Sequence, residues 1–406
     1  MKVLQINSVC GIGSTGRIAT DIHKLLTESK SQSYIAYGKG EAVGCNNSIR
    51  IGNKLNIYMH GLRTRLFDDH GFGSKKSTQN FLKSIEKLEP DIIHLHNIHG
   101  YYINIKELFT FLKKSNKPVF WTLHDCWPFT GHCAYFDYVN CQKWKEKCFE
   151  CPQSKEYPTS LIFDNSTNNH KNKKEIFNGV KNLTIVTPSE WLAGLVRESF
   201  LNEYPVRVIN NGINLDVFKP TESTFRQKYE LNNKFIILGV ASVWDKRKGY
   251  KYFIELSNRL DENERIILVG LTQQQIELLP NNIIGISRTN NIKELAEVYT
   301  AADVFINPTL EDNFPTTNIE ALACGTPVIT FNTGGSIEAI DEKTGYIVEK
   351  GNVEDLLDRI RKVKANQKSS YSLECRSRAI KMYEKEERFH EYIDMYIKAI
   401  DNVITK

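Results

Sequence analysis

The sequence predicts an α/β protein of two doubly wound domains, and three observations predict it. The chain has 406 residues, 41% of them apolar and 25% charged, which is too long for one core and enough for two of roughly 200 residues each. Short apolar runs alternate with helical stretches in both halves, the pattern of parallel sheets covered by helices, and no period of about 20 to 50 residues repeats. Residues 303–335 hold a complete strand–loop–helix–strand unit. Val304, Phe305 and Ile306 run into Asn307-Pro308, a polar loop follows, a helical stretch at 319–323 is stopped by Gly325 and Pro327, and 328–331 is again apolar.

From the amino terminus, 3–6 reads as a buried strand, followed by Gly11-Ile-Gly-Ser-Thr-Gly16 and a helix over 17–26. The G-x-G-x-x-G spacing lets backbone approach a pyrophosphate at a helix start, which makes a dinucleotide-dependent enzyme one reading. That reading needs an acid at the end of the second strand, where 34–37 is followed instead by Gly38-Lys39-Gly40, with Glu41 next. A close-approach loop at a domain cleft is the other reading of the same glycines. Residues 91–96 form a strand feeding Asn97-Ile-His-Gly100, and 118–123 form one ending in His124-Asp125. His94 and His96 read as hydrogen-bonded structural groups, whereas His124 closes a strand where crevice residues belong.

A cysteine-rich insertion follows, with Cys133, Cys141, Cys148 and Cys151 downstream of Cys126. Closely spaced thiols outside a secretory context ligate zinc more often than they form disulfides. Structural zinc and scattered core thiols both remain open, while a catalytic metal lacks an open ligand position beside His124. Cys10, Cys45, Cys324 and Cys375 look isolated. Residues 152–178, rich in Asn and Lys without a helical period, read as a mobile surface segment. A strand over 183–186, a helix capped by Ser189 and a strand from 206 into Asn210-Asn211-Gly212 complete the half.

The second half restarts with a strand over 235–241, then Lys246-Arg247-Lys248-Gly249 and a helix from Tyr250. Three consecutive cations usually mark a solvated face, but at a strand-to-helix loop they suit a diphosphate, with Arg offering a fork and Lys a point charge. Further strands lie at 266–269 and 283–286, Ser287-Arg288-Thr289 precedes a helix over 292–300, and 383–400 has a helical apolar pattern. In the loop after 304–306, amides from Thr316 and Thr317 to Ile319 suit an anion, flanked by Asp312 and by Glu320 in the first turn of the helix. Thr317-x-x-Glu320 also has the spacing of a capping box.

Glu311-Asp312-Asn313-Phe314-Pro315, Glu320-Ala-Leu-Ala-Cys-Gly-Thr-Pro-Val and Thr333-Gly-Gly together resemble the donor-site signature of the family-four retaining glycosyltransferases. The resemblance covers nearly the whole chain and is most specific over 303–345. It implies the GT-B fold, two doubly wound Rossmann-like domains facing across a cleft: an acceptor-side domain over 1–212 carrying the Cys-rich insertion 126–151, a nucleotide-sugar domain over 213–382, and a terminal helix, 383–406, crossing back. It implies transfer of a hexose-type sugar, with retention, from a UDP- or GDP-sugar to a glycan or lipid-linked glycan in cell-surface polysaccharide biosynthesis.

Carried onto this sequence, the family's pattern places Glu320 on the ribose, Arg247 and Lys248 on the diphosphate, and Asp312 or Glu311 with His124 on the sugar. Gly13 and Gly16 approach the donor, Arg288 lies where the base is gripped, and no cofactor is required for catalysis. The family's usual first Glu is Asp312 here, and its Arg five residues before Lys248 is Val243. A non-catalytic partner subunit of the same fold is therefore a rival reading.

No apolar run approaches the roughly 18 residues of a membrane span, and Gln5, Asn7 and Ser8 make the amino terminus too polar for a signal peptide. The expected location is the cytoplasm, at the inner face of the plasma membrane. The net charge of +5 is uneven: residues 1–212 carry 27 Lys and Arg against 19 Asp and Glu, the remainder 26 against 29. A basic first half suits an anionic membrane surface. Its candidate contact is a helix within 54–76, where Lys54, Arg63, Arg65, Lys75 and Lys76 surround Leu62, Leu66, Phe67 and Phe72. No basic run interleaved with aromatics argues for nucleic acid.

Overall fold

The structure, a computed structural model, describes residues 1–404. The chain divides into two compact units, one of residues 1–210 together with the segment from 388, the other of residues 211–387. Each is a parallel sheet with helices on its faces.

The first unit contains β1 (Lys2–Val9), α1 (Gly13–Glu28), β2 (Gln32–Lys39), β3 (Ser48–Arg50), α2 (Lys54–Phe67), α3 (Lys75–Leu88), β4 (Ile92–Leu95), α4 (Ile105–Ser115), β5 (Val119–Thr122), α5 (Ser166–Phe177), β6 (Leu183–Thr187), α6 (Glu190–Glu198) and β7 (Val206–Val208). The seven strands pair in the order β3-β2-β1-β4-β5-β6-β7, all parallel. Alternation along the strands divides the core between the two faces. Leu4, Ile6, Ile93, Leu95 and Trp121 pack on one side, while Val3, Ile92, Phe120 and Val186 meet Ile18, Ile22 and Leu26 of α1 on the other.

The second unit runs α7 (Phe225–Lys228), β8 (Phe235–Val240), α8 (Tyr250–Ser257), β9 (Glu264–Val269), α9 (Gln273–Glu277), β10 (Ile283–Ile286), α10 (Ile292–Ala301), β11 (Val304–Asn307), α11 (Thr316–Ala323), β12 (Val328–Phe331), β13 (Gly345–Val348), α12 (Val353–Asn366) and α13 (Ser369–Tyr383). Its parallel sheet has the order β10-β9-β8-β11-β12-β13. α14 (Lys385–Ile404) returns the chain to the first unit, where Phe389, Tyr392, Ile393 and Tyr396 complete the core beside α1.

Several expectations need correction. Residues 152–178 are not a structureless segment: α5 occupies 166–177 and buries Asn169, His170, Lys173 and Phe177. Its inward face is largely polar, so no apolar period announces it. The helix expected within 54–76 is two helices, because Asp68 takes a left-handed conformation that ends α2 before α3 starts at Lys75. The pattern over 383–400 is likewise broken, with extended backbone at Glu384 separating α13 from α14. Cys10 and Cys45 are not isolated, since the Cys10 thiol hydrogen-bonds to Cys45.

Candidate functional site

In both sheets the strand order reverses direction beside the first strand of the unit, between β1 and β4 and between β8 and β11. The loops leaving the carboxyl ends of such a pair diverge, and the crevice between them is where doubly wound sheets bind ligands. Gly11, Gly13, Arg247, Lys248, Glu311 and Asp312 lie on or beside these loops, whereas His124 follows β5, Arg288 follows β10, and Thr316, Thr317 and Glu320 are on α11.

In the second unit, one 3-10 turn, Lys246–Lys248, follows β8, held by the Asp245 side chain accepting the Lys248 amide. The loop 308–315 follows β11. Gly249 joins them: its φ is +74° and a Cβ there would stand 2.1 Å from the Pro308 carbonyl oxygen, so only glycine permits the approach. Lys248 Nζ reaches Asp312 Oδ2 at 2.5 Å, Arg247 Nη1 donates to the Glu311 carbonyl at 3.1 Å, and the Leu310 amide donates to the Arg247 carbonyl at 2.7 Å. Glu311 and Asp312 are both buried. The acid and the cation expected on opposite parts of a sugar donor are thus directly paired, with Arg247 alongside. Lys246 and Arg288 are exposed on their own loops.

The loop is braced from the far side. Asn307 Nδ2 donates to Asn318 Oδ1 at 2.8 Å, and Asn318 Nδ2 to the carbonyl and hydroxyl of Ser336 at 3.0 Å. α11 starts after Pro315 with no side-chain cap, so Thr316 and Thr317 sit at the positive end of its dipole. This removes the capping-box reading: Thr317 is inside the helix, and Glu320 lies in its second turn rather than the first. Glu320 is half-buried and its Oε2 accepts from the Tyr299 hydroxyl at 3.0 Å. Tyr299, fully buried on α10, was not legible as a site residue because its role depends on the packing of two helices.

In the first unit, Gly11 and Gly13 precede and open α1 in left-handed conformations. Gly13 is exposed, while Gly16 is buried within van der Waals reach of Gly11. β2 ends at Lys39, whose ammonium lies 4.6 Å from the Tyr101 ring centroid. A cation thus occupies the position where the dinucleotide reading needs a carboxylate.

His124 follows β5 and is half-buried. Gln5 Nε2 donates to the Ala19 carbonyl at 2.9 Å, so its oxygen accepts from His96 Nε2 at 3.1 Å. The remaining His96 nitrogen, Nδ1, then accepts from His124 Nε2 at 3.3 Å. The network assigns the proton of neutral His124 to Nε2 and leaves Nδ1 as its acceptor nitrogen. Burial lowers His124 to about 4 and His96 well below its ordinary value, which keeps both rings neutral near pH 7. His94 is structural, bonded to Thr122 and Tyr396.

Sequence reasoning missed a second group, built around His99 past β4. His99 Nε2 lies 2.9 Å from Asp125 Oδ2, and His99 Nδ1 is 3.0 Å from the Tyr157 hydroxyl. Burial alone would lift the Asp125 carboxyl, but His99, the Trp127 amide and His124 outweigh it and hold it below the usual carboxylate range. The available signal was the position of His99 just past β4, at the reversal of strand order. The four insertion cysteines line one small cavity with His132, although among the described residues no three His, Cys, Asp or Glu groups stand set to hold a metal ion.

Two parallel sheets of Rossmann-like order in one chain, each with polar groups gathered on its reversal loops, define the GT-B glycosyltransferase architecture. The family model described as "Glycosyltransferase Family 4" matches residues 54–217, and that described as "Glycosyl transferases group 1" matches residues 221–382. The chain belongs to the family-four glycosyltransferases. It is 24% identical to the putative colanic acid biosynthesis glycosyl transferase WcaC of Escherichia coli, covering 98% of this chain and 99% of that protein. It is 25% identical, over 52% of this chain and 59% of the relative, to the N,N'-diacetylbacillosaminyl-diphospho-undecaprenol alpha-1,3-N-acetylgalactosaminyltransferase of Campylobacter jejuni. Among solved structures, Anabaena Alr3699/HepE in complex with UDP superposes with a TM-score of 0.69 at 15% identity, covering 98% of this chain and 100% of that one.

Proposed function

We propose that this chain is a retaining hexosyltransferase that takes a sugar from a nucleoside-diphosphate sugar, UDP or GDP, and adds it to a lipid-linked glycan during polysaccharide biosynthesis. The observation that carries this reading is the cluster of Arg247, Lys248 and Asp312 on the reversal loops of the second sheet, beside the uncapped start of α11. Breaking a glycosyl–phosphate bond places growing negative charge on the leaving diphosphate. Cations and helix amides already fixed around that charge lower the barrier without reorganising, and no divalent ion is needed for the purpose. Glu320, oriented by Tyr299, is assigned the ribose hydroxyls, with Arg288 toward the base. Asp312, or Glu311 beside it, is assigned the transferred sugar. In the first unit, His124 at the end of β5 is assigned the transferred sugar, and Gly13 is open for close approach. The relative from Campylobacter, whose name specifies a diphospho-undecaprenol acceptor, supports a lipid-linked acceptor. The UDP held by Alr3699/HepE supports uracil as the base.

Glu320→Gln tests the donor assignment. The amide oxygen can still accept from Tyr299, so the melting temperature should hold while affinity for UDP or GDP falls about tenfold, the loss of one charge-assisted hydrogen bond. Unchanged nucleotide affinity in calorimetric titration would remove Glu320 from the site.

A lipid-linked acceptor requires approach to a bilayer, and no described helix is long and apolar enough to cross one. We assign the approach to α2 and its neighbour. Leu55, Tyr58, Met59 and Leu62 are exposed on the helix, and Leu161, Ile162 and Phe163 are exposed beside its end, where Phe67 and Phe163 stack at 6.0 Å. Lys54, Arg65 and Lys76 are exposed around them. Apolar groups within a cationic rim suit the surface of an anionic membrane, with about 1 kcal/mol gained per nearby cation and lost with salt. The protein should pellet with anionic vesicles at low salt and not with neutral ones, and failure to pellet with either removes this surface without touching the donor assignment.

A further inference from the structure

The residues between Thr130 and α5 contain no strand and only one helical turn, Lys143–Lys145. A connection this long with so little regular structure is held by something other than backbone ladders. Part of the answer is aromatic, since Trp144 packs on Phe129 and Phe136. The rest lies next to it. Cys133, Cys141, Cys148 and Cys151 line a single cavity offering about 10 Å³ to a water centre, room for one small occupant.

Details around the cavity point to that occupant. Cys133 hydrogen-bonds to Cys151, and Cys148 Sγ accepts from the Gly131 amide at 3.2 Å. Gly131 has no room for a side chain: a Cβ would lie 2.1 Å from the Ser166 carbonyl oxygen and 2.7 Å from Cys148 Cβ. His132 is 2% exposed and lines the same cavity. Its Nδ1 is held by Asp68 Oδ1 at 2.5 Å, and its Nε2 is buried without a partner. His132 thus brings a buried ring nitrogen with no hydrogen-bond partner to the cavity that the four thiols line. Lys173 is buried alongside, its Nζ donating to the carbonyls of Trp127 and Thr130 at 2.8 and 3.1 Å.

We propose that Cys133, Cys141, Cys148 and Cys151 hold one structural Zn²⁺, with His132 lining the site without ligating and Lys173 buried nearby. Among the described residues no three ligand groups already stand at metal-binding positions: Cys133 is hydrogen-bonded to Cys151, and Cys141 and Cys148 share only the cavity with them. Holding one ion therefore requires the side chains to turn about the single torsion before each sulfur. Binding breaks four S–H bonds and forms four Zn–S bonds, the protons pass to solvent, and nothing is oxidised or reduced. The ion joins parts of the chain that regular secondary structure leaves untied.

Elemental analysis of the purified full chain tests this directly. About one equivalent of zinc per chain is expected after dialysis, and Co²⁺ exchanged into the site should show the sulfur-to-cobalt charge-transfer band of a four-thiolate centre. Cys148→Ser and Cys141→Ser should each lose most of the metal, while Cys375→Ser and His132→Gln keep it. If a cysteine variant does not fold, metal content and the cobalt spectrum of the unaltered chain still decide. Metal-free protein that binds no Co²⁺, or a Cys141→Ser chain that keeps its metal while His132→Gln loses it, overturns the four-thiolate site.

Discussion

Replacing Lys248 with methionine is expected to lower the rate of sugar transfer about 10²- to 10³-fold, the usual consequence of removing one preorganised group from a developing charge. The stem of the side chain is retained, so packing changes little. What is lost is the ammonium that pairs with Asp312 at 2.5 Å and is assigned to the donor diphosphate. Asp312 is 9% exposed, so an unpaired carboxylate should also cost about 1–3 kcal/mol of stability. Lys246→Met, on an exposed neighbour in the same turn, is the control and should keep a rate within a few-fold of normal. Equal losses in both variants would mean that the turn contributes only general positive charge, and a normal rate in Lys248→Met would dispose of the assignment. The expected signature is a fall in kcat that saturating donor does not restore.

Gly334→Ala should be nearly as damaging, for steric reasons. Gly334 has φ +52°, and a Cβ there would stand 1.9 Å from the Asp312 carbonyl oxygen. That atom belongs to backbone and cannot swing aside. The loop carrying Glu311 and Asp312 must move, and a displacement of about 1 Å costs roughly a hundredfold where charges must be placed accurately. The left-handed conformation adds about 1–3 kcal/mol of strain. Gly44→Ala separates the two contributions: its φ is +69° but nothing lies within 4 Å of the added carbon, so it should lose stability without displacing a loop. Calorimetry and a transfer assay on both variants are sufficient. A Gly334→Ala protein with normal rate and melting temperature would show that the loop tolerates movement.

The parallel strands were legible because both of their faces are buried, which makes them continuous apolar runs such as 304–306 and 328–331. β3 was not, because Ser48, Ile49 and Arg50 form an edge with exposed ends and no such run. α5 was missed for the complementary reason, its buried face being built from Asn169, His170 and Lys173. At the candidate site, Lys248, Asp312 and Glu320 could be picked out because they lie within a short, distinctive stretch or at a recognisable loop. Their partners could not. The pairing of Lys248 with Asp312, Tyr299 behind Glu320, and His99 with Asp125 and Tyr157 join residues 64, 21, 26 and 58 positions apart, and only the folded sheets bring them together. The capping-box reading of Thr317 and Glu320 failed because α11 starts earlier, with Pro315 and not Thr317 at the cap position, which moves both residues inward by two positions.

The return of α14 to the first unit has a consequence for how the protein is made. Phe389, Tyr392, Ile393 and Tyr396 pack with Val3, Ile22 and Phe120 in one core cluster, so the core begun by β1 and α1 waits for residues translated long after them. The second unit, residues 211–387, is drawn from an uninterrupted stretch, and its core cluster is built from residues of that stretch. Its core can close on the ribosome while the sheet begun at the amino terminus still shows a bare apolar face, reversing the order in which the two units are encoded.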